Sequence, residues 1–303
     1  AQKRARHIPL IVNPNIVNAA VFSGITANMY YVEGYFIEQF VKGEIGLLPS
    51  KNNKIGVIFD RAISKNVLNI HINTINAMKT VYGIDITGYE ITDETADVEF
   101  FTTDSGISSG CVKNPTTLKK AGQKLIKKGA QTIAVVCKFA EPPQDEYEKG
   151  NGVDIVGGVE AIISHYLSKE LMCPCVHAPA FEDVTIDGNI VDEKVSAEYI
   201  TPTFLPCLLT GLRNAPLIVK KENITPECIT YKNLHSVCVP YNALGSSVVL
   251  DCIEKDIPVY AILENKTVLN IDKTSINKTI AIKEIATYDD YINIIKEIEY
   301  EKS

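Results

Sequence analysis

The sequence of 303 residues has no tryptophan and three methionines. It holds no apolar run near the roughly 18 residues that a membrane-crossing helix needs. No secretory signal opens it. Positive charge is in short supply: 30 Lys and Arg stand against 37 Asp and Glu, for a net charge of −7. No strongly basic face for nucleic acid can be assembled from that balance. The densest basic run, Lys119, Lys120, Lys124, Lys127 and Lys128, recurs at helical spacing and reads as the solvated side of an amphipathic helix. The G-x-G-x-x-G fingerprint of dinucleotide binding and the Gly-Lys-Ser/Thr of a phosphate loop are both missing, so no nucleotide cofactor is indicated. Eight cysteines are too sparse for a disulfide scaffold, and point to reduced thiols in the cytoplasm. A small-molecule partner is left, without nucleic acid or membrane, and a homo-oligomer stays open.

What is present is ordinary for a globular chain, with 46% apolar and 22% charged residues. No linker with a shift in composition divides it, so residues 1–303 read as one intertwined α/β unit. Strands are expected at Lys54–Asp60, Tyr89–Thr92, Val98–Phe101, Gln131–Lys138, Ser236–Pro240 and Val259–Leu263, and helices at Tyr30–Val41, Ile63–Tyr82, Leu118–Lys128, Val159–Leu171, Val248–Lys255 and Tyr288–Tyr300. Gln2–His7 reads as a polar tail. Thr103–Gly110, Glu141–Gly152 and the turn at Asp187-Gly188-Asn189 read as loops. Tyr199–Pro216, broken by Pro202 and Pro206, cannot be one regular helix. A unit of strand, glycine loop, helix and strand appears at Val153–Pro179 and again at Val237–Thr267. Such alternation implies a mostly parallel sheet with ligands at the carboxyl ends of its strands.

The glycine loops locate the candidate chemistry. Gly157-Gly158 and Gly245-Ser246-Ser247 each open a helix, where free N–H groups can hold an anion or simply pack closely. Glu160 and Ser164 lie one turn apart on one helix face, with His165 beside them. Cys175 and His177 alternate along a strand and so point to one side. With Cys207 they could form a divalent metal site, a Cys–His nucleophile or a cysteine acid/base pair, or be inert buried thiols. Lys138 ends a strand and, beside Ser105, Ser108 or Ser109, would make a Ser–Lys nucleophile. Glu264 follows the last buried strand. The catalytic candidates are thus His177, Cys207, Glu160, Lys138, Glu264 and His165. Gly157, Gly158, Ser164, Ser105, Gly245, Ser246 and Ser247 are the candidates for binding substrate. The expectation is a hydrolase acting on an amide-like bond of a small polar or anionic metabolite. The alternatives are a cofactor-independent isomerase or racemase using cysteine, and a metal- or ligand-binding protein without turnover.

Six segments carry a resemblance: Asn13-Pro-Asn-Ile-Val-Asn18, Tyr31-Val-Glu-Gly34, the run from Val153 to His165, Pro174-Cys-Val-His-Ala-Pro-Ala180, Thr203-Phe-Leu-Pro-Cys207 and Glu264-Asn-Lys-Thr267. Together they resemble an uncharacterised domain-of-unknown-function family of bacteria, cyanobacteria and plants, over nearly the whole chain. Members of that family begin with a further glycine-rich strand-to-helix segment, so the resemblance implies a truncated N-terminus. Locally, the run from Val156 to His165 is similar to the Ser-Gly-Gly-Thr-Glu-Gly segment of the cyanuric acid hydrolase and barbiturase family. Those enzymes open cyclic amides with Ser–Lys pairs in three repeats around one site. This likeness implies a pseudo-threefold arrangement, with Val156 in place of the motif serine.

Overall fold

The computed structural model describes residues 8–142, 146–151, 153–186, 188–277 and 281–302, without the side chains of residues 16 and 297–302. The expected tail Gln2–His7 and the first residue of the turn at Asp187 lie outside the described residues. The chain opens with short pieces: β1 (Leu10–Val12), α1 (Pro14–Val17), β2 (Asn18–Ala19), β3 (Phe22–Ser23), β4 (Met29–Tyr31), α2 (Gly34–Lys42) and β5 (Ile45–Leu48). The central part follows as β6 (Ile55–Phe59), α3 (Lys65–Tyr82), β7 (Ile86–Ile91), β8 (Val98–Thr102), β9 (Ser108–Val112), α4 (Pro115–Lys127), β10 (Thr132–Lys138), α5 (Gly157–Leu171) and β11 (Cys175–Ala180). The last part comprises α6 (Leu205–Leu212), β12 (Leu217–Lys220), β13 (Val237–Pro240), α7 (Ser247–Glu254), β14 (Val259–Ile262), β15 (Ile282–Ile285) and α8 (Tyr288–Lys302).

The fold is α/β. Its largest sheet has four parallel strands in the order β11-β10-β6-β7, and a second parallel sheet runs β13-β14-β15. The central strands β6 and β10 are apolar at almost every position because both faces of the sheet are covered. Val57, Phe59, Ala134, Val136 and Val176 meet α3 and α6 on one face. Ile58, Ile133, Val135 and Cys175 meet α4 and α5 on the other. A third core packs α2 and α7 against the second sheet. Asp60, buried at the end of β6, accepts the N–H groups of Ala62 and Ala96 at 3.1 and 3.0 Å, which fixes the loops at the carboxyl edge.

Two expectations change. Val153–Val156 is a turn, and the strand before α5 is β10. The Asp154 carboxylate accepts the N–H of Val156 at 3.1 Å, and this local bond replaces a sheet ladder. Tyr199–Pro216 is not one regular helix, as expected, but it contains the short helix α6, because Pro206 sits in its first turn, where no N–H is needed. The loop expected at Thr103–Gly110 is shorter, since Ser108–Val112 pairs with β8 as an antiparallel hairpin.

That hairpin seats α5. Gly158 N–H donates to Ser108 Oγ at 3.0 Å, and a Cβ on Gly158 would stand 2.1 Å from the Ser108 carbonyl oxygen. The atoms that this Cβ would meet, the Ser108 carbonyl and the Ser109 nitrogen, are backbone, so no side-chain rotation relieves the clash. Gly158→Ala is expected to cost about 2–3 kcal/mol of stability, read as a lower denaturant midpoint. An unchanged midpoint would show that the hairpin slides freely on the helix.

Candidate active site

A cavity of about 750 Å³ opens at the carboxyl end of the large sheet. This is where open α/β sheets place ligands, and the volume suits a small molecule. Its floor comes from β11 with His177 to Pro179 and from α6 with Phe204, Cys207 and Leu208. One wall is the turn Val153–Val156 with Glu160 of α5, and another is Asn15 and Asn18. Two loops close the mouth and are joined to each other. Asp192 N–H donates to Glu148 O at 2.9 Å, Lys194 Nζ to Gly150 O at 3.3 Å, and Tyr147 OH to Glu198 at 3.0 Å. Gly150 takes φ +70° there, with the Asp192 carboxyl where a Cβ would stand.

His177 is held from behind. Its Nδ1 lies 2.8 Å from Ser164 Oγ, and that hydroxyl also lies 3.2 Å from the Ala161 carbonyl of its own helix. A helical serine that donates back to the preceding turn keeps its oxygen as the acceptor for an Nδ1–H. This tautomer leaves Nε2 as a lone-pair acceptor, and Nε2 has no partner among the described residues. The ring is partly open to the cavity but deep in the protein, and desolvation lowers its pKa to about 4. The imidazole is therefore neutral at ordinary pH.

The carboxyl groups move the other way. Glu160 is 7% exposed and has no hydrogen-bond or ion-pair partner among the described residues. Burial, then the charges of Asp154 and Glu198, push its pKa far above the usual carboxylate range. Burial also raises Asp154, against the opposing pull of the Val156 and Gly157 N–H groups, although its side chain opens to cavity water. Glu198 rises for the same reason, with the Tyr147 hydrogen bond opposing. An acid with a strongly raised pKa, Glu160, and a neutral base, His177, thus share one chamber, and such opposed shifts mark acid/base pairs in enzymes.

Of the sequence candidates, the cavity gathers His177, Glu160 and Cys207, and Ser164 stands behind His177. Cys207 is a thiol, not a thiolate: burial pushes it up to about 12, and Sγ donates to Phe204 O at 3.1 Å. The expected metal set Cys175, His177 and Cys207 does not assemble. Cys175 is sealed at the start of β11, 3.9 Å from Cys173 Sγ, and among the described residues no three His, Cys, Asp or Glu side chains converge on a metal position.

The anion-binding loops also need correction. Gly157 and Gly158 do not line the cavity; their N–H groups go to Asp154 O and Ser108 Oγ. Gly245 packs on Ile271, and the Ser246 hydroxyl caps α7, which begins at Ser247, away from the cavity. Lys138 stands at the sheet edge with Glu182 3.4 Å away, and not with a serine. Ser105 bonds Thr103 in the exposed hairpin turn. The letters Gly106-Ile-Ser108-Ser-Gly110 match a nucleophile elbow but form this hairpin, so the strand-to-helix context is absent. Glu264 caps α8 by accepting Tyr288 N–H at 2.7 Å. His165 lies outside the cavity, against the Tyr35 ring and 3.8 Å from Glu33. Asp154, Glu198, Tyr147 and Asn18 were not singled out from the sequence. Asp154 alone had a local signal, an acid three residues before a helix start.

The shifts predict a pH dependence. His177 titrates near 6.5 unfolded and about 4 folded. The unfolded chain binds more protons between those values, so stability falls as pH drops from about 6.5 to 4, by at most about 3 kcal/mol. Glu33, buried at the start of α2, is raised from 4.5 to about 7 by desolvation, so it contributes stability below pH 4.5 that is lost as pH rises to 7. His177→Gln should flatten the acid-side loss and Glu33→Gln the neutral-side loss. Denaturant melts at pH 4, 5.5 and 7 read both slopes.

Four of the six segments that carry the family resemblance supply cavity residues, and Tyr31 of a fifth receives a hydrogen bond from Asn18. Comparison with known proteins agrees with that resemblance. An uncharacterized lipoprotein of Synechococcus is 34% identical over 266 residues, covering 86% of this chain and 74% of that protein. Residues 6–299 match the family described as "Protein of unknown function (DUF3326)". The chain belongs to that family.

Proposed function

We propose that the protein is a small-molecule hydrolase that cleaves an amide-like C–N bond, with His177 as general base and Glu160 as general acid. The observation that carries this reading is the pairing of a neutral imidazole, fixed by Ser164, with an unpartnered buried acid in the same cavity. His177 Nε2 takes a proton from water, and the hydroxide adds to the substrate carbon. The C–N bond breaks as Glu160 gives its proton to the departing nitrogen, and the imidazolium proton then returns to the Glu160 carboxylate. Each proton transfer of this kind contributes about 10²–10⁴-fold in rate. All eight cysteines are free, which supports a reducing compartment such as the cytoplasm. Among the described residues no helix is long and apolar enough to cross a membrane.

An isomerase with two cysteine bases is less well supported. Cys207 is the one thiol on the cavity among the described residues, and its proton is held too tightly for a base. The two readings separate by mutation. In a screen of amides, amidines and ureas, His177→Gln and Glu160→Gln should each lower kcat at least about 100-fold, while Cys207→Ala retains most activity. Ser164→Ala should reduce kcat about tenfold and shift the acid limb of the pH profile, since it frees the ring. Loss of turnover in Cys207→Ala, with His177→Gln active, would refute the assignment.

A further inference from the structure

Six carboxyl groups line the cavity, Glu141, Glu148, Asp154, Glu160, Asp183 and Glu198, and no lysine or arginine among the described residues does so. Buried charge of one sign is ordinarily paired. Here the protein supplies no pair: the Glu160 carboxyl, more than nine-tenths buried, has no partner, and Glu198 has one hydrogen bond, from Tyr147. The same cavity is faced by Tyr147, Phe181, Tyr199 and Phe204, with the Phe181 and Phe204 rings edge to face at 6.5 Å. Carboxylates beside aromatic rings are the surroundings that organic cations select, through charge and through the electron-rich ring faces. No three acidic groups converge as metal ligands among the described residues, and a cavity of about 750 Å³ has room for a small organic molecule.

We infer that the cavity binds an organic cation, a small molecule carrying an ammonium or guanidinium group, with Glu198 as its counter-charge, the carbonyl oxygen of the Glu160 carboxyl as an acceptor for its N–H groups and the aromatic side chains as its walls. The inference rests on the cavity being the substrate site of the proposed hydrolase, and it replaces the anionic metabolite that the glycine loops suggested. Burial raises the pKa of Asp154, Glu160 and Glu198, and the charge of Asp154 adds to it at the two glutamates. A cation that enters favours the ionised form of Glu198, so a proton leaves as it binds, while Glu160 keeps the proton that it donates in turnover. Affinity therefore rises with pH.

Calorimetry on the full chain tests this with n-butylammonium and n-butylguanidinium as probes, against pentanol and pentanoate, in two buffers of different ionisation enthalpy. At least one cation should bind saturably at one site with proton release, and the neutral and anionic probes should bind at least about tenfold more weakly. Glu198→Gln and Glu160→Leu should each weaken the cation by about tenfold or more. Glu160→Leu removes a buried acid that has no partner to orphan, so the fold is kept. Phe204→Leu, which leaves every carboxyl in place, should weaken the cation several-fold. The inference falls if pentanoate or pentanol binds as well as the cations, if neither cation saturates below about 100 mM, or if both Glu198→Gln and Glu160→Leu stay within twofold. Cation binding without any turnover would remove the hydrolase reading and leave this one. His177-dependent hydrolysis of neutral or anionic amides would do the reverse.

Discussion

The position of α5 is the constraint on which the cavity depends. That helix carries Glu160 on one turn and Ser164 on the next, and Ser164 in turn aims His177 from the neighbouring strand β11. Its start is fixed by the contact of Gly158 with Ser108, a backbone-to-backbone approach that only glycine allows. Its far end packs as closely: a Cβ on Gly122 of α4 would stand 2.5 Å from Leu171. The chemistry of the cavity therefore rests on steric contacts distant from it. A shift of one ångström at the hairpin would be carried along a rigid helix to the acid and to the histidine together.

Electrostatics then follows from geometry. The large sheet delivers polar groups to a cavity backed by its own apolar layers, where burial disfavours their charged forms. His177 becomes neutral by losing a proton and Glu160 by keeping one, so desolvation, joined at Glu160 by the charges of Asp154 and Glu198, produces a base and an acid of opposite readiness. Cys207 obeys the same rule with another result. Desolvation leaves it a thiol, although it sits in the first turn of α6 with backbone N–H groups toward its sulfur.

Much of this was legible in the sequence, for reasons that differ by residue. The parallel α/β architecture showed in alternating apolar runs and amphipathic helices, because both signals come from periodicity. The pairing of Glu160 with Ser164 showed as a spacing of four on a helix. His177 showed through its strand, whose residues point alternately to the two faces. The role of the glycines did not show, since a glycine that admits an anion and one that admits a neighbouring backbone look the same until the neighbour is known. Gly158 proved to be of the second kind. Glu198 and Tyr147 were hidden because they reach the cavity from two irregular loops, where no period links a residue to a direction. Glu264 misled in the opposite sense: it follows a strand, as functional residues often do, and caps a helix instead.

The two loops over the cavity meet at the bond between Tyr147 and Glu198 and are laced together by Asp192 and Lys194. One of the cavity acids is thus part of the latch. The carboxyl that joins the two loops is also a wall of the cavity, so its protonation bears on the joint between the loops as well as on what the cavity can hold.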